Sequence, residues 1–445
     1  MDQRSNGGTR MALVKLSVSD SSGPTIELNR KMALKSGLSK GQYIDLSYGL
    51  RKTKVKVITK KRAEEDTIFI SSEVLDELKI EMTPSYSFRL IGDCLVIGPV
   101  LGVLFKERDK HMKQDLSENP EMFFPYAQSI KRLGGLLFFF AEDGIDYKSC
   151  EISGYVYDFE TMSWKKSIFP YPAIIYRKIK ATRILKEAFG KRLINPPCYY
   201  KWKFHTTLKE NPSFDMYLPE TTNIISKENL DHFLRKYGRV FLKMSNQGGG
   251  VGMHMIWKDG KEYLSRQNFT DKIFRYSSKQ MKTLLASCEK NHILQQPIKI
   301  KTVQGKQVNY RVIAVKERAK RWRVRTIHGW LGESGGISTQ TDELSARYPE
   351  DLLRMQFDYS PREVQKKIRE MESLAIALAE HLEKACGTFV DFGFDFGLDE
   401  KGNIYIFEGN TLQQLEMALW LGDHMMYGNL IHRIVKGLKE MALDE

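Results

Sequence analysis

Between Val390 and Asn410 the chain alternates Asp391, Gly393, Asp395 and Gly397 with Phe392, Phe394, Phe396 and Leu398. Read as a strand of period two, one face is large and apolar, while the other carries only carboxylates and glycines. Glycine strips side chains from that face, which a strand tolerates poorly unless something must approach the backbone. Asp399-Glu400-Lys401-Gly402 supplies a turn, and Asn403 to Asn410 runs back. Pairing Leu398 with Asn403 predicts Asp395, Ile406, Glu408 and Asn410 on one face. Two carboxylates and an amide oxygen form a set suited to Mg2+, which would bridge substrate phosphates rather than be caged by protein.

Upstream, Arg239 to Lys243 reads as a strand delivering a lysine, followed by Met244-Ser245-Asn246 and the glycine-rich Gln247 to Gly252. Backbone N–H groups of such a loop can wrap phosphate oxygens. No Gly-Lys-Ser/Thr follows and no helix opens, so neither a Walker A loop nor a dinucleotide fingerprint is written here. Ile293 to Ile298 is an apolar strand broken at Pro297, a candidate edge for an adenine ring. His254 and His328 fall in strand-like stretches and read as structural histidines.

These residues need elements to hold them. The clearest helix follows Ser360-Pro361-Arg362-Glu363, a Ser N-cap with Pro first and Glu third. Its apolar positions Ile368, Met371, Ala375, Leu378 and Leu382 keep helical spacing to Gly387. Strands are predicted at Val240–Met244, His292–Gln296, Tyr310–Val315 and Arg321–His328. Asn195-Pro196-Pro197 reads as a linker. Before it, strands at Val100–Phe105, Leu136–Phe140 and Ala173–Tyr176 alternate with helices at Tyr126–Leu133 and Thr182–Gly190, indicating an open, mostly parallel sheet. Earlier still, Ile26 to Leu46 and Ile68 to Leu90 repeat a strand–helix–strand unit, which suggests a small closed β-barrel with pseudo-twofold symmetry. The predicted division is a tail at 1–10, a β-rich domain at 11–98, an α/β domain at 99–200, and two lobes at 201–300 and 301–445.

The 445 residues carry Lys+Arg 69 against Asp+Glu 55, a net charge of +14. That length excludes a minimal disulfide scaffold, and 42% hydrophobic residues exclude wholesale disorder. Cys94, Cys150, Cys198, Cys288 and Cys386 lie far apart without a C-x-x-C pair, so reduced thiols and synthesis in the cytoplasm are expected. No apolar run approaches the roughly 20 residues of a membrane span. The basic excess points to a polyanionic partner. Lys52, Lys54 and Lys56 share one face opposite Val55 and Val57, read as a protected sheet edge, with a polyanion site on this β-rich domain as the alternative. Arg321, Arg323 and Arg325 make a second cationic face, with Trp322 opposite.

Taken in order, Lys201, Lys243 with its glycine loop, Gln296, Arg311 and the acidic hairpin resemble the ATP-grasp fold. The chain is most similar to the YheC/YheD family of endospore-coat-associated ATP-grasp proteins. Lys201-Trp202, Leu218-Pro219-Glu220-Thr221, Gly98-Pro99 with Gly102, and Asp391 to Thr411 carry the likeness. The resemblance implies an α/β fold of α+β lobes, an ATP-grasp core preceded by the barrel-like domain. It further implies that Lys201 and Lys243 bind the ATP phosphates and that Gly248, Gly249, Gly250 and Gly252 belong to the loop closing over them. Gln296 and Ile298 would meet adenine, and Arg311 would stand near the transferred phosphoryl group. Asp395, Glu408 and Asn410 would hold Mg2+, with Mn2+ as a substitute.

Active members of the fold make an acyl phosphate from a carboxylate, which an amine or thiol then attacks. Here Met244 replaces a proline, Gln247 a glycine, and Gly248 a serine of the usual loop. Asn309 stands where an aspartate precedes the arginine. Thr339-Gln340 and Asp342-Glu343 replace Thr-Asn and Gly-Gly, and Thr411-Leu412-Gln413 replaces the usual ending. The metal set and both lysines are kept while the acceptor side is altered. Two functions follow: a ligase for a peptide or cell-envelope-type substrate, or a nucleotide-holding scaffold with spore-coat proteins as partners and the coat as location.

Overall fold

The computed structural model describes residues 13–60, 64–196, 200–247, 250–268, 270, 272–288, 290–317, 321–334, 346–412 and 415–444. It divides into two compact units, residues 1–194 with 428–445, and residues 195–427.

In the first unit, seven strands form one sheet: β1 (Lys15–Ser19), β2 (Thr25–Asn29), β3 (Tyr43–Tyr48), β4 (Arg51–Lys60), β5 (Thr67–Ser71), β6 (Ser87–Ile91) and β7 (Cys94–Gly98), in the order β1-β5-β2-β4-β3-β7-β6. Helices α1 (Arg30–Lys35) and α2 (Ser72–Leu78) follow β2 and β5, so the expected internal repeat is present. A backbone bridge at Val14 and Tyr86, with N–H···O bonds of 2.9 and 2.8 Å, joins the two end strands and closes the sheet into a barrel. The basic run is exposed, as expected. β4 pairs with β3 along Arg51–Lys56 and with β2 only from Lys56 to Lys60, so Lys52 and Lys54 lie where the strand has one partner and Lys56 where it has two. Val55 and Val57 point into the core, as the alternation requires.

The second sheet comprises β8 (Val100–Lys106), β9 (Leu136–Asp146), β10 (Glu151–Asp158), β11 (Ser163–Pro170), β12 (Ile174–Arg177) and β13 (Leu193–Ile194). Its order is β11-β10-β9-β8-β12-β13, parallel from β9 through β13, with α3 (Asp109–Glu118), α4 (Pro120–Leu133) and α5 (Arg183–Phe189) between strands. The antiparallel addition of β10 and β11 departs from the expected mostly parallel sheet, and β11, whose residues are mostly polar and exposed, forms no apolar run. The barrel and this sheet share one apolar core. Lys439, near the chain end, belongs to this unit and donates to Ser87 Oγ at 2.6 Å and to the carbonyls of Leu133 and Gly134.

In the second unit, α6 (Lys201–Lys209) precedes a sheet of β14 (Thr221–Thr222), β15 (Arg239–Met244), β16 (His254–Asp259), β17 (Glu262–Gln267), β18 (Ile273–Tyr276) and β19 (His292–Gln295), ordered β14-β19-β15-β16-β17-β18. Helices α7 (Lys227–Tyr237) and α8 (Ser278–Cys288) pack their apolar residues on it. A second sheet, β22-β21-β20-β23-β24, comprises β20 (Lys306–Glu317), β21 (Arg321–Ser334), β22 (Ala346–Arg347), β23 (Asp391–Leu398) and β24 (Ile404–Asn410). After α9 (Pro349–Phe357), α10 (Pro361–Cys386) starts at Ser360 with both halves of the capping box, as its sequence predicts, and ends at Gly387. Its buried face meets Phe392, Phe394 and Phe396 in one core. Short α11 (Met417–Trp420) follows, and then α12 (His424–Asp444), whose residues from Gly428 onward belong to the first unit. Arg321, Arg323 and Arg325 are exposed, while Trp322 is buried and donates to Glu383 at 3.0 Å. Among the described residues no cysteine is in a disulfide, and no helix is long and apolar enough to cross a membrane.

The hairpin β23–β24 corrects the expected register. Leu398 pairs with Ile404, not Asn403, and an irregularity at Phe407 shifts the ladder so that Asp395 faces Glu408 while Phe396 faces Ile406. Ile406 therefore joins the core beside the phenylalanines instead of sharing the carboxylate face. A strand of constant period two cannot put both Ile406 inside and Glu408 outside; the bulge makes it possible. Two of the glycines also serve packing rather than ligand approach. A Cβ on Gly409 would lie 2.6 Å from the Phe204 ring, and one on Gly397 2.5 Å from Phe407. Gly409→Ala is expected to cost about 1–3 kcal/mol by overpacking, read from urea unfolding, with partial recovery when Phe204→Leu is added.

Candidate functional site

One cavity of about 1100 Å3 lies within the second unit, and Lys201, Lys243, Gly250, Gln296, Ile298, Arg311, Asp395, Glu408 and Asn410 all line it. Gly252 stands behind the wall at φ +66°, where a Cβ would meet Met244 Sδ at 2.6 Å. Gly248 and Gly249 lie outside the described residues, as do Thr339-Gln340 and Asp342-Glu343.

At the floor, Arg311 and Asp395 are cross-strand partners on β20 and β23. Arg311 donates from Nε to Asp395 Oδ1 and from Nη2 to Oδ2, both at 2.7 Å, a fork-on-fork pair with both side chains buried. Glu408 faces the same carboxylate from β24. Asn410 Nδ2 donates to Asp395 Oδ2 at 3.1 Å and to Glu408 Oε1 at 3.3 Å. Burial drives the Asp395 carboxyl above its ordinary value, and the Arg311 guanidinium offsets only part of this. Burial also acts upward on Glu408, but Lys201 and Arg311 outweigh it and hold that group low. Two carboxylates pressed together with opposed shifts are relieved by a divalent cation between them. Turning the Asn410 amide would present its oxygen to the same point, so the donor set fits Mg2+. Among the described residues no cluster of three His, Cys, Asp or Glu offers a different metal site.

Two lysines form the wall. Lys201 opens α6, whose first N–H donates to the Ser245 carbonyl at 3.0 Å. Its ammonium donates to the Gln247 carbonyl and stands 3.6 Å from Glu408 Oε2. Lys243, on β15, donates to Gln295 Oε1 at 2.7 Å, and Gln295 in turn donates to Thr221 Oγ1 at 3.1 Å. Burial, with Lys201 adjacent, pulls the Lys243 ammonium down to about 8. An ammonium so placed gains from a phosphate arriving beside it. The segment after the glycines is tied down where Asn268 Nδ2 donates to the Gly250 carbonyl at 3.3 Å.

At the strand end, the Gln296 side chain is turned inward. Its Oε1 accepts from the Glu220 N–H at 3.0 Å, while the Gln296 backbone N–H donates to the Glu220 carbonyl at 2.8 Å. The pair extends the β14–β19 ladder and leaves Ile298 with Phe241, Met253 and Met255 as apolar lining, a slot that fits a planar ring. Sequence reasoning missed Gln295, because Lys243 sits opposite Ile293 and reaches it diagonally. It also missed Phe407, whose place depends on the bulge. The two histidines are structural in kind: His254 Nδ1 lies 3.0 Å from Ser265 Oγ, and burial, then Arg311, brings His328 down to about 4.

Residues 190–437, more than half of the chain, match the model of the YheC/D-like ATP-grasp family. The chain is 24% identical over 401 residues to the endospore coat-associated protein YheD of Bacillus subtilis, covering 85% of this chain and 86% of that protein. Among solved structures it is similar to D-alanyl-alanine synthetase A of Vibrio cholerae, at 13% identity and TM-score 0.43 over 76% of this chain and 98% of that one. It is also similar to a RiPP-associated ATP-grasp ligase of Chryseobacterium gregarium in complex with ADP and leader and core peptide, at 14% identity and TM-score 0.40 over 78% and 96%. With a family model spanning the lysines, the cavity and the carboxylate hairpin alike, the chain belongs to the YheC/D-like ATP-grasp family.

Proposed function

We propose that the protein is an ATP- and Mg2+-dependent ligase that joins a carboxylate to an amine or thiol through an acyl phosphate, acting on a peptide or cell-envelope-type substrate at the spore coat. The observation that carries this reading is the convergence of Lys201, Lys243, Arg311 and the facing Asp395 and Glu408 on one cavity. Lys201 and Lys243 receive the nucleotide phosphates, and the apolar slot at Ile298 receives the base. Asp395, Glu408 and Asn410 would hold Mg2+, which would supply charge neutralisation for the nucleotide phosphates. Arg311, fixed by its fork on Asp395, presents donors to the oxygens of the group being transferred. The coat assignment rests on a relative described as endospore coat-associated.

A nucleotide-holding scaffold is the second reading, favoured by Asn309 and by Thr411-Leu412-Gln413 on the acceptor side. The test is thermal unfolding with MgADP. At a hundredfold excess over Kd the ligand adds about 2.7 kcal/mol, visible as a raised Tm. The shift is expected to vanish in Asp395→Asn/Glu408→Gln. An unmoved Tm in the native protein overturns both readings, and a shift without ADP release from ATP across a panel of carboxylates and amines selects the scaffold.

A further inference from the structure

Thr221 on β14 faces Gln295 on β19, and Gln295 faces Phe241 on β15, so the three side chains share one sheet face. Lys243 follows Phe241 by two positions on the same strand and falls on that face too. Its ammonium lies 5.0 Å from the centre of the Phe241 ring, and the residue lines the cavity. Gln295 is 7% exposed, so its amide must find partners within the protein.

The partners it finds allow one orientation. The Pro219 carbonyl can only accept, and the Thr221 hydroxyl donates its single proton there at 2.9 Å. Toward Gln295 that hydroxyl can then only accept, which it does from Nε2 at 3.1 Å. The amide oxygen is thereby turned the other way, onto the Lys243 ammonium at 2.7 Å. A reversed amide would set donor against donor at both ends. Backbone pairing already joins β14 to β19, so the side-chain relay adds something else: a fixed acceptor on one side of the ammonium.

We infer that Thr221 is a positioning residue for Lys243, acting through Gln295 to hold the ammonium with its remaining N–H donors aimed at the nucleotide phosphates. The inference rests on the nucleotide reading and adds to it a residue outside the cavity. Thr221 does not line that space, so it reaches the phosphates only through the two side chains between. An ammonium has three donors; one is spent on Gln295, and two are left for phosphate oxygens. A lysine held before the nucleotide arrives spares the binding step part of the entropy of ordering a long side chain. Without the Thr221 hydroxyl, the Gln295 amide has an unpaired N–H and is free to turn, and the ammonium loses its fixed partner.

The experiment is titration calorimetry of the full chain with MgADP, comparing the native protein with Thr221→Val, Thr221→Ser, Gln295→Leu and the double variant Thr221→Val/Gln295→Leu. Thr221→Val keeps the shape and deletes the hydroxyl, and it is expected to bind roughly three- to tenfold more weakly. Thr221→Ser restores the hydroxyl and should bind as the native protein does. In the Gln295→Leu background, Thr221→Val should cost nothing further, because the relay is already cut. Native affinity in Thr221→Val, an equal loss in Thr221→Ser, or losses that add in the double variant each overturn the inference. Nucleotide-free Tm values check that the variants fold, and Thr221→Ala replaces Thr221→Val if that variant does not. A second arm needs no nucleotide: acetylation of Lys243 by acetic anhydride at neutral pH, followed by peptide mass spectrometry. Thr221→Val should label faster than both the native protein and Thr221→Ser, since a freed ammonium gives up its proton more readily. Equal rates in Thr221→Val and Thr221→Ser overturn the positioning role. Absence of MgADP binding by the native protein strikes the nucleotide reading instead, and the labelling arm then decides the relay separately.

Discussion

Arg311→Met is expected to destabilise the nucleotide-free protein by about 3–5 kcal/mol, because it leaves Asp395 buried against Glu408 without its cation. The native pair is bidentate, with both side chains almost fully withdrawn from water, so the cost is that of an uncompensated charge rather than of a surface ion pair. Asp395→Leu alone strands the guanidinium and should cost a similar amount. The double variant Arg311→Met/Asp395→Leu removes both charges and should recover most of the loss. Urea unfolding of the four proteins closes the cycle and gives the coupling energy directly. A coupling near zero would mean that the two groups are not paired in solution. The expected catalytic result runs the other way: the double variant folds but releases no ADP, since both the Arg311 guanidinium and the Asp395 carboxylate are gone.

The second large effect concerns Lys243 and pH. With its ammonium lowered from 10.5 to about 8 by burial and by Lys201, the folded protein releases this proton before the unfolded chain does. Between about 8 and 10.5 the unfolded state therefore holds more protons, and the nucleotide-free protein gains stability as pH rises through that window. Nucleotide binding has the opposite dependence. Phosphates favour the charged ammonium, so MgADP affinity should be flat below pH 8 and fall above it, by up to about tenfold per pH unit. Titration calorimetry in buffers of differing ionisation enthalpy should show proton uptake on binding near pH 8.5. Lys243→Met should bind more weakly throughout and lose the slope. An affinity independent of pH would remove Lys243 from the phosphate contacts.

Much of this site was legible because its chemistry is local. Asp395, Glu408 and Asn410 sit in one hairpin, and Lys243 sits at the end of a strand whose alternation is plain. The repeat that builds the barrel was readable for the same reason: each copy is one short strand–helix–strand run. What escaped depends on long-range pairing. The phase change at Phe407 gives no local signal, so strict alternation predicts Ile406 beside the carboxylates, whereas the ladder sets it facing Phe396. β4 gains its second neighbour only from Lys56 onward, where β2 joins it, and no charge pattern on β4 itself marks that point. The register of β20 against β21, which sets His328 directly opposite Arg311, gives no local signal either.

The prolines after Asn195 predict a linker there, yet the Asn195 side chain grips the start of the acidic strand. Nδ2 donates to Asp391 Oδ1 at 2.5 Å, and Oδ1 accepts from the Val390 N–H at 3.0 Å. A strand with alternating faces has a hazardous neighbour state: a slip of one residue turns Asp395 into the core and a phenylalanine into the cavity. The Asn195 carboxamide grips the strand four positions before Asp395, and any slip must first break two buried hydrogen bonds there. Asn195 thus works as a detent, holding the carboxylates in step with Arg311 whatever the cavity contains.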